Sequence, residues 1–242
     1  MSHPDLTDKV ALVTGSTKGI GRAIASALAR AGAHVVVSGR SESDVASAVE
    51  QIGGDGGKVS GRAADVRDYE SVASLMAHVE SETSGLDILV NNAGVGRFGH
   101  ISEMTPESWD QVIQTNLNGV FYCSHAALPQ LKKNGGGTII NISSLAGKNA
   151  FRGGTAYNAS KFGLEGLSEA MMLDLRYDDI KVAYVMPGSV ATEFAGRSAS
   201  SGEDWRLTSE DVAEVVMGIL GQDRRALASR VELRPFQPPQ KS

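Results

Sequence analysis

A tyrosine and a lysine one helical turn apart are the side chains of this sequence best placed to do chemistry. Tyr157 and Lys161 lie in a segment with a helical pattern, and residues four apart on a helix have Cβ atoms about 6 Å apart on one face. A nearby ammonium favours the phenolate form of tyrosine and lowers its pKa from about 10. Such a pair can act as a general acid or base, although the segment alone fits equally an ordinary helix with an inward tyrosine and a solvated lysine.

A pair of serines precedes the tyrosine at the end of a predicted strand. Residues 138–141 read TIIN, an apolar run that predicts a buried strand, and Ser143 and Ser144 follow shortly after it. A serine hydroxyl in this position can bind a substrate oxygen. Adjacent strand residues point to opposite faces, so only one of the two serines can face Tyr157.

The segments that must position these side chains alternate between apolar, β-rich runs and helical patterns. This alternation predicts an α/β fold, with one domain over residues 1–242 built on a doubly wound parallel, Rossmann-like sheet with helices on both faces. Ligands of such folds bind at the carboxyl ends of the strands. The predicted strands are residues 9–14, 34–40, 58–66, 86–94, 135–143, 180–188 and an edge strand at 230–235, and the predicted helices are residues 19–31, 41–52, 67–82, 105–133, 155–178 and 208–221.

A glycine-rich turn, GSTKGIG at residues 15–21, lies between the first predicted strand and the first helix. Glycine lets the backbone approach a ligand closely, and the amides at a helix N-terminus can hold a phosphate. The position of this turn therefore indicates a dinucleotide-binding site. Asn91, Asn92 and Gly94 end the fourth predicted strand, where small and amide residues allow a flat ligand to approach.

The end of the second predicted strand indicates which dinucleotide would bind. Folds that bind NAD place an acidic residue there for the ribose hydroxyls, but this chain has Ser38, Gly39 and Arg40. A guanidinium suits a 2′-phosphate, and Lys18 in the glycine turn supplies a second cation. The alternative is that Arg40 and Lys18 are solvated surface cations.

Bulk properties argue against several classes of function. The formal net charge of -5 leaves no basic footprint for nucleic acid, and the five histidines are scattered without the spacing of metal ligands. The single Cys123, the lack of a signal-peptide core and the lack of a bilayer-spanning run predict a cytoplasmic protein that inserts in no membrane. Residues 194–207 predict a mobile flap over the site, and residues 235–242 a frayed proline-rich tail.

Taken together, the motifs resemble those of the classical short-chain dehydrogenase/reductase family. The resemblance runs from about residue 9 to residue 192. It rests on TGSTKGIG at 14–21, an Asp-Val pair at 65–66, NNAG at 91–94, Asn116, Ser144, YNASK at 157–161 and PGSVAT at 187–192. Each motif is modest alone, but the full set in this order is specific. The flap and the C-terminal end of the chain depart from the family pattern.

The resemblance implies roles for four residues. Tyr157 would be the general acid for carbonyl reduction, or the base in the reverse direction. Lys161 would lower the pKa of Tyr157, together with the positive ring of an oxidised cofactor, and would bind the nicotinamide ribose. Ser144, chosen over Ser143 by its separation from Tyr157 in the family pattern, would bind the substrate oxygen. Asn116 would hold a water in a proton relay to Lys161.

The resemblance also implies a dinucleotide site, with NADP(H) preferred and NAD(H) as the alternative. Asp65 and Val66 would contact the adenine, and Val190 and Thr192 would hold the carboxamide. The expected cofactor-binding residues are Gly15, Ser16, Thr17, Lys18, Gly19, Ile20, Gly21, Ser38, Arg40, Asp65, Val66, Asn92, Ala93, Gly94, Tyr157, Lys161, Pro187, Gly188, Val190 and Thr192.

The expected function is NADPH-dependent reduction of a small-molecule ketone or aldehyde with a tyrosine proton donor. A 3-oxoacyl thioester is a special case, for which Arg97, Arg152, Arg197 and Arg206 are candidates to bind an acidic carrier or, equally, are solvated. An NAD(P)+-dependent secondary alcohol or sugar dehydrogenase would use the same residues. A catalytically silent NADP(H)-sensing regulator would not need the complete Ser-Tyr-Lys set.

The resemblance further implies a homo-oligomer, a tetramer or a dimer. In similar enzymes the subunits meet through two long helices. Those helices correspond here to residues 110–131 and 163–177.

Overall fold

Seven parallel strands form the central sheet, in the order β3-β2-β1-β4-β5-β6-β7. The computed structural model describes residues 4–54, 57–194 and 205–239. The strands are β1 (Val10–Thr14), β2 (His34–Gly39), β3 (Val59–Ala63), β4 (Ile88–Asn91), β5 (Gly137–Ile142), β6 (Ile180–Pro187) and β7 (Arg230–Leu233). The predicted doubly wound parallel sheet is therefore confirmed, and the predicted edge strand at 230–235 pairs with β6.

Helices cover both faces of this sheet. They are α1 (Gly19–Arg30), α2 (Glu42–Gly53), α3 (Tyr69–Glu82), α4 (Pro106–Ile113), α5 (Gly119–Lys133), α6 (Thr155–Leu175) and α7 (Ser209–Leu220). No helix within the described ranges is both long enough and apolar enough to cross a membrane. The predicted flap falls mostly on residues 195–204, and the last three residues of the predicted tail are 240–242; both lie outside the described residues.

Two apolar cores lie on the two faces of the sheet. Ala11 and Val13 of β1 point into the core formed with α1, α2 and α7. Val10 and Leu12 point into the core formed with α3 and α5. Successive strand residues alternate between faces, so a strand that is covered on both sides must be apolar throughout. This is why central strands such as β1 and β4 read as apolar runs.

The strand order reverses direction between β1 and β4, which lie side by side at the centre of the sheet. The chain leaves β1 toward β2 and β3 on one side, and it leaves β4 toward β5 and β6 on the other. A crevice opens where connections diverge in this way, outside the carboxyl ends of the strands. The glycine turn after β1 borders that crevice.

The predicted helix at 105–133 is wrong in one respect, because a π turn over Gln114–Asn118 separates α4 from α5. Thr105 caps α4 as expected, since its hydroxyl accepts a hydrogen bond from the amide of Ser108 at 3.2 Å. A π turn adds a residue to the helix and redirects the side chains around it. The turn contains Asn116, the polar residue that the helical pattern placed in mid-helix.

A chain of buried amides and hydroxyls ties the centre of the sheet to the helices beside the crevice. The side-chain nitrogen of Asn91 on β4 donates to Asn141 on β5 at 2.9 Å and to Ser124 on α5 at 3.0 Å. The nitrogen of Asn141 donates to Ser168 on α6 at 2.9 Å. Four buried polar residues therefore set the spacing of β4, β5, α5 and α6. These four elements carry or support Ser144, Tyr157 and Lys161.

Replacing one member of this chain should destabilise the fold. Asn141→Leu leaves a buried N–H of Asn91 without an acceptor, and we expect a loss of about 2 kcal/mol in the free energy of unfolding. The double variant Asn91→Leu/Asn141→Leu should lose less than the sum of the two single variants. Urea unfolding measures all three, with Asn118→Ala at the partly exposed π turn as the control. Strict additivity of the two single losses would refute the coupling.

Candidate active site

A cavity of about 1570 Å³ opens at the carboxyl edge of the sheet. It extends from the glycine turn after β1, past the ends of β4 and β5, to the segment that follows β6. The predicted residues that line it are Gly15, Thr17, Lys18, Gly19, Ile20, Gly21, Ser38, Arg40, Asp65, Val66, Asn92, Ala93, Gly94, Ser144, Tyr157, Lys161, Pro187, Gly188, Val190 and Thr192. Only Ser16 and Asn116 of the predicted set lie outside its lining.

Two glycines of the turn, Gly15 and Gly21, pack too tightly against the end of β4 to be replaced by residues with side chains. Gly15 has a positive φ of 62°, and a Cβ there would lie 2.8 Å from the Cα of Ala93. A Cβ on Gly21 would overlap the side-chain nitrogen of Asn92. That nitrogen donates to the carbonyls of Thr14 and Gly15 at 3.0 and 2.9 Å. The turn is therefore clamped to β4 from one side.

The N-terminus of α1 faces the cavity without a side-chain cap. Lys18 occupies the N-cap position and makes no capping hydrogen bond. The first amides of a helix have no partner inside the helix, and with the helix dipole they suit an anion. Gly19, Ile20 and Gly21, the first residues of α1, line the cavity. This end of the cavity fits a phosphate group of a dinucleotide.

Ser16 serves the turn rather than the cavity. Its side chain is fully buried, and its hydroxyl donates to the carbonyl of Val13 at 2.6 Å. The same hydroxyl accepts a hydrogen bond from the amide of Ser38 at 3.0 Å, and the amide of Ser16 donates to the carbonyl of Ser38 at 2.9 Å. The expected contact between Ser16 and the cofactor stays a prediction, and in the structure the hydroxyl and the amide of Ser16 join β1 to β2.

Charged side chains surround the mouth of the cavity beyond β2. Arg40 is exposed there, and Lys18 forms an exposed ion pair with Glu193 at 3.2 Å. Asp65 is bound on both carboxylate oxygens by Arg67, which also lines the cavity. This pairing lowers the pKa of the Asp65 carboxyl, so Asp65 and Arg67 act as one unit at the predicted adenine end.

Three residues meet on the cavity floor between β5 and α6. The hydroxyl of Ser144 lies beside the phenol of Tyr157 and acts to lower its pKa. The ammonium of Lys161 lies 5.8 Å from the centroid of the Tyr157 ring. It donates to the carbonyl of Ile142, at the end of β5, at 2.9 Å. Ser143 points elsewhere and donates to the Glu165 carboxylate at 3.2 Å, so Ser144 is the serine that the fold brings to the phenol.

Asn116 is fully buried in the π turn and lies beside the site rather than in it. Its side-chain oxygen accepts from the amide of Val95 at 2.8 Å, and its nitrogen donates to the carbonyl of Val95 at 2.9 Å and to Ser160 at 3.1 Å. Both N–H groups of the side chain are therefore in use. Its observed contribution is to fix the segment after β4, and its expected part in holding a relay water stays a prediction.

A model of the short chain dehydrogenase family matches residues 9–202 of this chain. The chain belongs to this family. Sepiapterin reductase of Chlorobaculum tepidum is 35% identical over 233 residues, which cover 93% of this chain and 96% of that protein. Members of this family are NAD(P)(H)-dependent oxidoreductases that act on small molecules.

Two solved structures have the same fold as this family member. A metagenomic short-chain oxidoreductase in complex with NADP is 34% identical, with a TM-score of 0.84 over 97% of this chain and 100% of the other. An alcohol dehydrogenase of Thermococcus sibiricus, complexed with 5-hydroxy-NADP, is 28% identical, with a TM-score of 0.89 over 96% and 99%. The open amides of α1 and the clamped glycines agree with a nicotinamide dinucleotide in this cavity.

Burial dominates the electrostatics of Tyr157 and Lys161. It lowers the pKa of the Lys161 ammonium to about 8, and the nearby Glu165 carboxylate opposes that shift. Burial also raises the pKa of the Tyr157 phenol, and the hydrogen bond from Ser144 offsets this only in part. The expected lowering of this pKa by Lys161 together with the positive ring of an oxidised cofactor stays a prediction, since desolvation sets the direction of the shift in the structure.

Sequence reasoning missed several cavity residues. Phe98, Phe151 and Phe194 line the cavity around Tyr157, although they lie in three separate connections. Arg67 and Glu193 line its mouth. Single aromatic or charged residues in loops carry no periodic signal. Of these residues, only Arg67 could have been expected at the cavity, since it lies two residues after the predicted site residue Asp65.

The low pKa of Lys161 makes stability depend on pH. The folded state releases this proton at a pH of about 8, whereas the ordinary value is 10.5. Between these values the unfolded chain binds more protons, so the free energy of unfolding rises with pH, by up to roughly 3 kcal/mol from this group. Urea unfolding from pH 7 to 10 should show this rise in the wild type and not in Lys161→Met. Lys133→Met, an exposed site, should retain it; equal slopes in all three proteins would contradict the assignment.

Proposed function

We propose that this enzyme is an NADPH-dependent carbonyl reductase that acts on a ketone or aldehyde. The observation that carries the proposal is the joint placement of Ser144, Tyr157 and Lys161 on the floor of a cavity whose other end presents the uncapped amides of α1. Such a cavity can hold a dinucleotide along its length and leave a carbonyl group beside the phenol.

In this proposal the chain's own residues polarise and protonate the substrate. The carbonyl oxygen accepts hydrogen bonds from Ser144 and Tyr157. A nicotinamide held in this cavity would supply the hydride that reduces the carbonyl carbon. Tyr157 gives its proton to the oxygen, and the ammonium of Lys161 stabilises the phenolate that remains. The two N–H groups of Lys161 beyond its bond to Ile142 are available to ribose hydroxyls.

The raised pKa of Tyr157 favours the reductive direction. A phenol with a pKa above its ordinary value is fully protonated near neutral pH. A proton donor is needed for reduction, whereas oxidation of an alcohol needs the phenolate as base. The alternative of an NAD(P)+-dependent secondary alcohol or sugar dehydrogenase uses the same residues and would operate at alkaline pH. A silent NADP(H)-sensing regulator would have no use for the assembled hydroxyl, phenol and ammonium.

Preference for NADP(H) over NAD(H) is supported by the residues at the end of β2. Arg40 is exposed at the cavity mouth, and Lys18 extends from the glycine turn nearby. The strand exit from Ser38 to Ser41 carries no acidic residue; Glu42 and Asp44 follow in the first turn of α2, and Asp44 lines the cavity. A 2′-phosphate would meet Arg40 there with a charge-assisted hydrogen bond.

An acidic carrier of a 3-oxoacyl thioester receives less support. Of the four arginines proposed for it, Arg197 lies outside the described residues, and only Arg152 lines the cavity. Arg97 is bound to the side chain of Gln111 at 3.0 Å. The presence of only one of the four candidates at the cavity is weak support for a polyanionic partner.

We also propose that the enzyme is a homo-oligomer of the cytoplasm. Phe121 on α5 and Phe162 and Leu173 on α6 are exposed by about half. Apolar residues exposed on neighbouring helices are suited to a subunit interface, which supports a homodimer or homotetramer through these helices. Cys123 is free and buried, which is compatible with the reducing cytoplasm.

Removal of the phenol hydroxyl tests the proton donor. Tyr157→Phe should lower kcat for carbonyl reduction by about 10²- to 10⁴-fold, the usual contribution of a general acid. The dissociation constant for NADPH should change little, since the ring remains in place. NADPH oxidation followed by absorbance and NADPH binding followed by fluorescence give both numbers. Tyr177→Phe, at a position that is 93% exposed, is the matched control. Normal turnover by Tyr157→Phe would exclude this role.

Removal of the cation at the end of β2 tests the choice of cofactor. Arg40→Ala should lower kcat/KM for NADPH by roughly 10- to 100-fold, the value of a lost charge-assisted hydrogen bond, and should leave that for NADH nearly unchanged. Arg30→Ala, an exposed arginine at the far end of α1, should leave both unchanged. If the ratio of NADPH to NADH activity survives in Arg40→Ala, Arg40 does not select the phosphate.

A further inference from the structure

Three phenylalanine rings form a wall beside the phenol of Tyr157. The Phe98 ring lies edge-on to the Tyr157 ring with centroids 5.5 Å apart, and the Phe194 ring lies 5.7 Å from it. Phe151 extends the wall, with its centroid 5.7 Å from that of Phe98. All four rings line the cavity. We call Phe98, Phe151 and Phe194 the aromatic wall.

The aromatic wall remains open to the cavity. Phe98, Phe151 and Phe194 expose 43%, 47% and 36% of their surface. Exposed apolar side chains that cluster, rather than scatter singly, mark a ligand-binding or interaction surface. The wall belongs to neither of the two cores of the fold. Its exposed surface therefore faces the space next to the proton donor.

Glycines and a main-chain hydrogen bond build the wall. A Cβ on Gly96 would lie 2.8 Å from ring carbons of both Phe98 and Phe194, so a side chain there would displace the rings. A Cβ on Gly154 would lie 2.7 Å from the ring of Phe151. The amide of Gly99 donates to the carbonyl of Gly153 at 2.9 Å and joins the two connections that carry Phe98 and Phe151. The wall is thus a supported surface.

Polar partners are concentrated at one end of this space. Ser144 and Tyr157 present hydroxyl groups on the floor, and Arg152 lines the cavity next to Phe151. The rings themselves offer only faces and edges. A ligand that contacts both the hydroxyl groups and the aromatic wall needs a carbonyl oxygen at the hydroxyl groups. It also needs a flat apolar group within a few ångströms of that oxygen. Aromatic rings associate at centroid separations of about 4.5–7 Å, the spacing already present within the wall.

We propose that the substrate is an aryl ketone or aryl aldehyde, whose ring is bonded directly to the carbonyl carbon and packs on the aromatic wall. This inference rests on the proposed carbonyl reduction and names its substrate class. With the oxygen held by Ser144 and Tyr157, a ring on the carbonyl carbon reaches Phe98 and Phe194. A saturated ring of the same size fills the space but lacks the edge-to-face contacts.

A matched pair of ketones tests the proposal in the wild-type enzyme with saturating NADPH. Acetophenone and cyclohexyl methyl ketone have the same carbon skeleton and differ in the aromaticity of the ring. We expect kcat/KM for acetophenone to exceed that for the cyclohexyl ketone by roughly tenfold, mainly through KM, the value of one or two aromatic contacts. Equal values for the two ketones would overturn the proposal.

Substitutions within the wall assign that preference to the rings. Phe98→Leu keeps an apolar side chain and should reduce the ratio of acetophenone to cyclohexyl ketone activity to near one. Phe98→Ala should also raise KM for both ketones. The dissociation constant for NADPH should change by less than about twofold in both variants. If the Phe98 ring stacked on the nicotinamide instead of the substrate, its loss would weaken NADPH binding. Phe121→Ala, at an exposed phenylalanine on α5, is the control and should keep the wild-type ratio. An unchanged ratio in Phe98→Leu, or weaker NADPH binding instead, would overturn the assignment.

A binding measurement separates this proposal from the proposed function. In the Tyr157→Phe holoprotein with NADPH bound, calorimetry gives dissociation constants for the two ketones without turnover. Tighter binding of acetophenone supports the aromatic wall as an aryl site. If the wild type then reduces no carbonyl compound, only the carbonyl-reductase proposal fails. Equal binding of the two ketones overturns the wall as an aryl site whatever the wild type reduces.

Discussion

The buried ammonium of Lys161 is the interaction on which the site depends. Only 5% of this residue is exposed, and an isolated charge in such a place is costly. The carbonyl of Ile142 accepts one of its hydrogen bonds, the ring of Tyr157 lies beside it, and Glu165 lies one helical turn further on. The strand end, the phenol and the helix are held in their mutual places by this charge. Desolvation of Lys161 also lowers its pKa to about 8, and the nearby Glu165 carboxylate opposes that shift.

Much of the fold could be predicted because its signals are local and repeated. The apolar runs of the strands, the helical patterns and the glycine turn each lie within a short segment. Their alternation is enough to order a parallel sheet. The family followed from motifs that keep their order along the chain, and the match over residues 9–202 confirms it. Preference for NADP(H), the roles of single residues and the oligomeric state stay predictions.

Other features could not be predicted because they arise between distant segments. The π turn around Asn116 accompanies its hydrogen bonds to Val95, on a different element. Ser16 has the right sequence position for a cofactor contact, but the return of β2 beside β1 occupies its hydroxyl. The direction of the Tyr157 pKa shift depends on how much water the surrounding loops exclude. The i to i+4 spacing of Tyr157 and Lys161 indicated that an ammonium lies near the phenol. It did not indicate that both groups are shielded from water.

In this parallel fold the sheet and helices form the two cores, and the loops at one edge of the sheet carry the aromatic wall. Every strand ends at the same rim, and each connection that leaves the rim must return across a face of the sheet before the next strand begins. Phe98, Phe151 and Phe194 all lie on rim connections, outside both cores. Loss of one of these rings therefore removes no side chain from either core, so the sheet and its helices can fold independently of the rings at its rim.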